Sequence, residues 1–137
     1  MKILFETAAT TTGGRKGHVK SADGVLDFNL KMPIQLGGDG GNYTNPEQLF
    51  AAGYSACFDS ALQMVAGKEK LPITSKTTAV IGLAMTDVSS YSLTARIDVA
   101  ITGVSEEVAK TLLEKAHAVC PYSLALKGNV AVELNLV

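Results

Sequence analysis

The chain of 137 residues reads as an α+β protein. Strict apolar and polar alternation recurs around residues 26–32, 75–85, 91–101 and 130–136, which is the period of half-buried strands. Between those segments lie two stretches with helix-start signals and a stripe of apolar residues. The turn residues fall where these stretches meet.

The first alternating segment follows Asp23-Gly24. Leu26, Phe28, Leu30 and Met32 share one face, and Asp27, Asn29 and Lys31 the other. Asp-Gly is a hairpin turn signal, so residues 18–22 become the partner strand, and Pro33 ends the run because it cannot donate to a ladder. Residues 37–45 are rich in glycine but lack a Gly-Lys-Ser or GxGxxG pattern, so they read as a flexible loop rather than a phosphate cradle.

Asn45-Pro46-Glu47 announces a helix: Asn45 as the N-cap, Pro46 in the first position, and Glu47 facing the positive end of the dipole. The helix is expected to run to Gly67, with Phe50, Tyr54, Cys57, Ala61 and Met64 on one stripe. Many of its residues are small (Ala51, Ala52, Gly53, Ser55, Ala56), so a second helix can approach closely, and a homodimer is a natural source of one.

Two strands follow, joined by a turn at 88–91, and in the second Tyr91, Leu93, Ala95, Ile97, Val99 and Ile101 face one way. Ser105 then caps another helix, and Glu106 and Glu107 suit its first turn. Ala109, Leu113, Ala116 and Cys120 line the inner face of that helix. Pro121 ends or restarts it, Gly128 stops it, and Val130, Val132, Leu134 and Leu136 form a last strand.

A chain of this length fits one domain spanning residues 1–137 and buries roughly two-thirds of its unfolded surface, so it needs neither a disulfide nor a metal to fold. The net charge is −1 with scattered basic residues, which argues against nucleic acid as a partner and against a membrane-seeking patch. The apolar run at the N-terminus is too short for a signal peptide and no stretch is long enough to span a bilayer, so a cytoplasmic location is expected. In a reducing compartment, two cysteines distant in sequence point to transient redox chemistry, metal binding or packing rather than a permanent bridge.

Cys57 and Cys120 both sit on inward helix faces. Apolar burial raises a thiol's pKa and silences it, so a reactive pair needs a nearby cation or helix terminus. Arg96 lies beside Asp98 on a polar strand face and reads as solvated. Arg15 belongs to the glycine-flanked segment Thr12-Gly-Gly-Arg-Lys-Gly-His18, which can aim a guanidinium inward, and Glu47 could grip such a guanidinium through two bonds. Ten helical residues from Glu47 to Cys57 rise about 15 Å. A shared site therefore needs either a break near Gly53 or a second subunit. His117, Cys120, Cys57 and His18 could in principle hold zinc, but they lack paired short spacing, and His117 falls on the polar stripe with Glu106, Lys110 and Glu114, where it reads as solvated.

Thr12-Gly-Gly-Arg-Lys-Gly-His18, Asn45-Pro-Glu-Gln-Leu-Phe-Ala-Ala-Gly-Tyr-Ser-Ala-Cys-Phe58, Ala116-His-Ala-Val-Cys-Pro-Tyr-Ser123 and Gly128-Asn-Val-Ala-Val-Glu-Leu134 together resemble the organic hydroperoxide resistance (Ohr) branch of the OsmC/Ohr family over nearly the whole chain. The resemblance implies antiparallel sheets around a long central buried helix carrying Cys57, in an intertwined homodimer with active sites at the interface. It implies a thiol peroxidase that reduces alkyl and fatty-acid hydroperoxides, with Cys57 as the peroxidatic thiol, Cys120 as the resolving thiol, Arg15 stabilising thiolate and peroxide, and Glu47 orienting Arg15. No bound cofactor or metal is implied. The reductant would be a lipoyl-type dithiol, dihydrolipoamide or a lipoylated protein. Phe50, Tyr54, Phe58, Met64 and Tyr122 are candidates for an apolar substrate pocket. A broader OsmC-like peroxidase and a non-catalytic redox-sensing dimer are the competing readings, with a zinc module behind them.

Overall fold

The computed structural model describes residues 1–87 and 89–137. They fall into two compact units, Met1–Leu49 and Phe50–Val137.

In the first unit, β1 (Ala9–Thr12), β2 (His18–Ser21) and β3 (Asp27–Asn29) form an antiparallel sheet in that order. The hairpin anticipated at Asp23-Gly24 is β2–β3, with Val19 opposite Phe28 and Lys20 opposite Asp27. β1 had no signal in the sequence: Ala9-Thr-Thr-Thr12 carries no alternation, and all of its residues are exposed. β3 is shorter than the alternation suggested, because Leu30 leaves the hairpin to pair with Thr44 in an isolated parallel bridge. Leu30 is buried, whereas Leu26 and Phe28 on the same face stay exposed. A single-turn 3-10 helix, Ile34–Leu36, follows Pro33, and the glycine-rich loop then leads to Asn45.

α1 (Pro46–Lys68) begins where expected: Asn45 Oδ1 accepts from the Gln48 N–H at 2.8 Å. It runs unbroken past Gly53, which removes the first of the two ways of bringing a carboxylate to the thiol. In the second unit its inner face is Tyr54, Phe58, Ala61, Leu62 and Val65, spaced at three and four residues. This row lies one step further along than the stripe expected from sequence, so Met64 is 46% exposed, while Cys57 is half-buried at the border of the face.

β4 (Thr74–Asp87) and β5 (Ser90–Thr102) form a long hairpin, and β6 (Val132–Leu136) adds to β5 in parallel. Of the turn expected at 88–91, Val88 lies outside the described residues, and Ser90 already pairs with Asp87. The sheet is mixed rather than wholly antiparallel because α2 (Glu106–Val119) and α3 (Pro121–Leu126) form a crossover that returns the chain in the direction of β5. Ser105 caps α2, accepting from the Val108 N–H. Tyr54, Phe58, Leu62, Ile97, Val99, Leu112 and Cys120 form the fully buried centre of this unit. Among the described residues no helix is long and apolar enough to cross a membrane.

Candidate active site

The two cysteines meet inside the second unit. Cys57 lies on α1, and Cys120 is the single residue joining α2 to α3, at once the last cap of one and the first cap of the other. Its backbone N–H donates to Ala116 O and its carbonyl accepts from the Leu124 N–H, so both main-chain groups are held. Proline next in line suits the first position of α3, where a missing N–H costs nothing. The sulfurs lie 3.7 Å apart with Cys120 placed to donate to Cys57, and both are free thiols.

Burial is the main influence on the Cys57 thiol and pushes its pKa up; the facing backbone N–H of Tyr122 works against this, and the neighbouring Cys120 reinforces it. An N–H aimed at sulfur favours the thiolate by hydrogen bonding to the charged form. Cys120 Sγ is thus within reach of Cys57 without helping to hold it as a thiolate.

Around the sulfurs stands an aromatic group. The Tyr122 ring lies 5.7 Å from both Phe50 and Tyr54, and Tyr54 meets Phe50 edge-on at 5.9 Å. Gly53 makes room for it, since a Cβ there would come within 2.9 Å of the Tyr122 hydroxyl oxygen. Tyr54 is fully buried, and its hydroxyl is satisfied by Ser123 at 2.9 Å. Burial raises the Tyr54 pKa, so this phenol stays protonated. Phe50, Tyr54 and Tyr122 therefore form one aromatic cluster. Phe58 packs behind Tyr54 with none of its surface accessible, and Met64 is not part of the aromatic cluster.

Within the first unit, Arg15 and Glu47 form a two-armed ion pair, Nη1 to Oε2 at 2.7 Å and Nη2 to Oε1 at 2.5 Å. The backbone carrying Arg15 is a 3-10 turn, Gly14–Lys16, that depends on its glycines: Gly13 has φ +81°, and a Cβ on Gly17 would fall 1.7 Å from Thr12 O. The Arg15 hydrogen bonds hold the Glu47 carboxyl below its ordinary range. The pair is partly buried, with a third of the Arg15 side chain still accessible, so the guanidinium keeps an open side that Glu47 does not occupy.

Two features of this region were missed or misread in the sequence. The Tyr54–Ser123 bond joins residues far apart in the chain, and only the inward register of Tyr54 hinted at it. His117 is half-buried instead of solvated: its Nδ1 is sealed off and has no partner among the described residues. The end of α2 lies near the chain leading into β6, which a helical wheel of α2 alone does not show. His18 bonds Asp27 on the exposed face of the hairpin. Among the described residues no group of three or more His, Cys, Asp or Glu side chains is placed to hold a metal ion.

Residues 37–135 match the family model described as OsmC-like protein. The chain belongs to the OsmC/Ohr family. The organic hydroperoxide resistance protein of Xanthomonas axonopodis pv. citri is 42% identical over 98% of this chain and 96% of its own length. A crystal structure of an organic hydroperoxide resistance protein from Legionella pneumophila superposes with a TM-score of 0.94 at 46% identity, covering 98% of each chain. That of the organic hydroperoxide resistance protein OhrB of Bacillus subtilis gives 0.90 at 43% identity, over 98% of this chain and all of the other. The α+β architecture with two sheets and three helices is thus that of the OsmC/Ohr family.

Proposed function

We propose that this protein is a thiol peroxidase that reduces organic hydroperoxides to alcohols. The observation that carries the reading is the Cys57–Cys120 pair, 3.7 Å apart beside an aromatic wall, in a chain whose full-length relatives are named for organic hydroperoxide resistance. The Cys57 thiolate attacks the outer oxygen of ROOH; the O–O bond breaks, RO⁻ leaves and takes a proton to become the alcohol, and Cys57 becomes a sulfenic acid. The Cys120 thiol then displaces hydroxide from the sulfenic sulfur, releasing water and forming a disulfide. A lipoyl-type dithiol returns both cysteines to thiols and is itself oxidised to its cyclic disulfide.

Burial raises the Cys57 pKa within one chain, so the reaction needs a cation to favour the thiolate and to meet the negative charge on the leaving oxygen. Arg15, aimed by Glu47, is that cation in this reading. Because α1 is continuous and ten residues of helix rise about 15 Å, the guanidinium is supplied by a second subunit, and the working enzyme is a homodimer with two interface sites. The exposed apolar side chains of the first unit, Ile3, Leu4, Phe5, Val25 and Ile34 among them, support a subunit interface there. Phe50, Tyr54 and Tyr122 would favour an alkyl over a hydrogen substituent on the peroxide, by about 0.8 kcal/mol for each buried methylene.

The reduced protein is to be mixed with cumene hydroperoxide or hydrogen peroxide while turnover with dihydrolipoamide is followed. Sustained turnover, a preference for the organic peroxide and a Cys57–Cys120 disulfide by mass spectrometry support the reading. Thiols that stay reduced, or a disulfide that dihydrolipoamide leaves intact, overturn it in favour of a redox-sensing dimer.

A further inference from the structure

A hollow bounded by the end of α2, by α3 and by the approach to β6 takes no part in this chemistry. It measures about 360 Å³, and its walls include His117, Ser123, Leu124, Lys127, Val130 and Val132. Among the described residues no carboxylate lines it. The Ser123 hydroxyl is already engaged with Tyr54, so the side-chain polar groups left for a ligand come from His117 and Lys127.

Their chemistry is specified by their surroundings. His117 Nδ1 is buried without a partner. An unpaired buried N–H is rarer than an unpaired acceptor, so Nδ1 is the bare nitrogen and the ring proton sits on Nε2. Burial, helped by the positive charge of Lys127, lowers the His117 pKa and keeps the imidazole neutral. Lys127 is exposed, and its ammonium enters no ion pair among the described residues. His117 and Lys127 thus border one concavity whose other lining side chains, apart from the engaged Ser123, are aliphatic. Two donor side chains with no carboxylate beside them favour an anion, and the Leu124, Val130 and Val132 walls favour an anion with a hydrocarbon tail over an inorganic one.

We propose that this hollow is a second binding site, for the carboxylate head of an aliphatic acid, with Lys127 Nζ and His117 Nε2–H bonding the two carboxylate oxygens and the first carbons of the chain lying against Leu124, Val130 and Val132. Its size is near the lower end of the ~300–1,000 Å³ range of small-molecule sites, which suits a medium-length chain. Through Ser123, which lines the hollow and bonds Tyr54, the occupant would rest against the same helix, α3, that faces the thiol pair from its other end.

Octanoate is the probe, titrated into the full-length protein and followed by calorimetry and by the imidazole resonances of His117, neither of which requires peroxidase activity. Octanoate is expected to bind about tenfold tighter than 1-octanol and to shift the His117 resonances. Lys127→Met, a surface change that leaves the core intact, should weaken octanoate about tenfold without altering 1-octanol binding, and His117→Phe should weaken it likewise. Equal affinity for acid and alcohol, or octanoate binding unchanged in Lys127→Met, overturns the proposal. If peroxidase turnover fails while octanoate binds as expected, the proposed function falls and this site stands.

Discussion

The two units of the chain solve opposite problems. Phe50–Val137 encloses a dry core in which seven large side chains, Cys120 among them, are fully buried, and there the chief effect on Cys57 is desolvation. Met1–Leu49 buries little: Val19 and Leu30 are its buried apolar residues, and its best-organised feature is a charge pair, Arg15–Glu47, on a glycine-built turn. One unit half-buries a thiol and thereby raises its pKa; the other holds a cation in a two-armed pair and leaves it partly accessible. A low-dielectric setting strengthens whatever charge is brought to it, so the thiol unit gains more from an arginine than an exposed thiol would. In the proposed reaction, the group with the strong environmental penalty and the group that would relieve it belong to different folding units.

The comparison is broken most completely by removing the nucleophile. Cys57→Ser should reduce dithiol-dependent peroxide turnover to background, whereas Cys120→Ser should consume about one peroxide per subunit and stop with a sulfenic or overoxidised Cys57, as read by mass spectrometry. The reverse pattern would exchange their roles. Next in size is the charge pair. Arg15→Ala should slow oxidation of Cys57 at neutral pH by roughly 100-fold, the scale seen when one charge-stabilising donor is lost, and should move the thiol titration upward in an alkylation-rate profile. Glu47→Gln should cost less, since the guanidinium keeps one arm. Its effect also has a defined pH window. The folded pKa of Glu47 is depressed, so the pair's stabilisation is present above the unfolded value of about 4.3 and is lost as pH falls through the lower folded value. The stability gap between wild type and Glu47→Gln should accordingly hold near neutrality and close below about pH 4 in chemical unfolding.

A smaller effect tests the core itself. Ser123→Ala leaves the buried Tyr54 hydroxyl without its partner and should destabilise by about 1–3 kcal/mol, and the Tyr54→Phe, Ser123→Ala double variant should regain part of that. Thermal melts of the wild type and these two variants measure it. The smallest is the cap: Asn45→Ala should cost about 1 kcal/mol in the same melts, by freeing the Gln48 N–H.

What the sequence made legible were the features set by local rules. Asn45-Pro46, Ser105 and Asp23-Gly24 act within three residues of themselves, and α1, α2 and the β2–β3 hairpin begin where they direct. The long β4–β5 hairpin was equally plain, because Ala95, Ile97 and Val99 alternate without interruption. What escaped depended on the rest of the chain. β1 exists because β2 offers it an edge, not because of its own Ala-Thr-Thr-Thr composition. Met64 follows the expected stripe, yet the packed row is that of Phe58, Leu62 and Val65, a choice made by the opposing sheet and helix. At the site, inward helix faces were enough to single out the two cysteines, but not the Tyr122 amide or the sealed His117, which arise from how α3 and the following strand close over the end of α2.

Cys120 occupies the joint between two helices with its own N–H and C=O both bonded. A residue anchored in this way has one soft coordinate left, rotation about its Cα–Cβ bond. Rotation about one side-chain bond is a local motion even in a packed interior, whereas lid opening and domain rearrangements take microseconds or longer. The second thiol therefore need not wait for a segment of chain to open and close before it reaches its neighbour. In the proposed cycle, an oxidised sulfur on α1 would be captured without any chain segment moving, which would shorten the interval in which a second peroxide could oxidise it beyond repair.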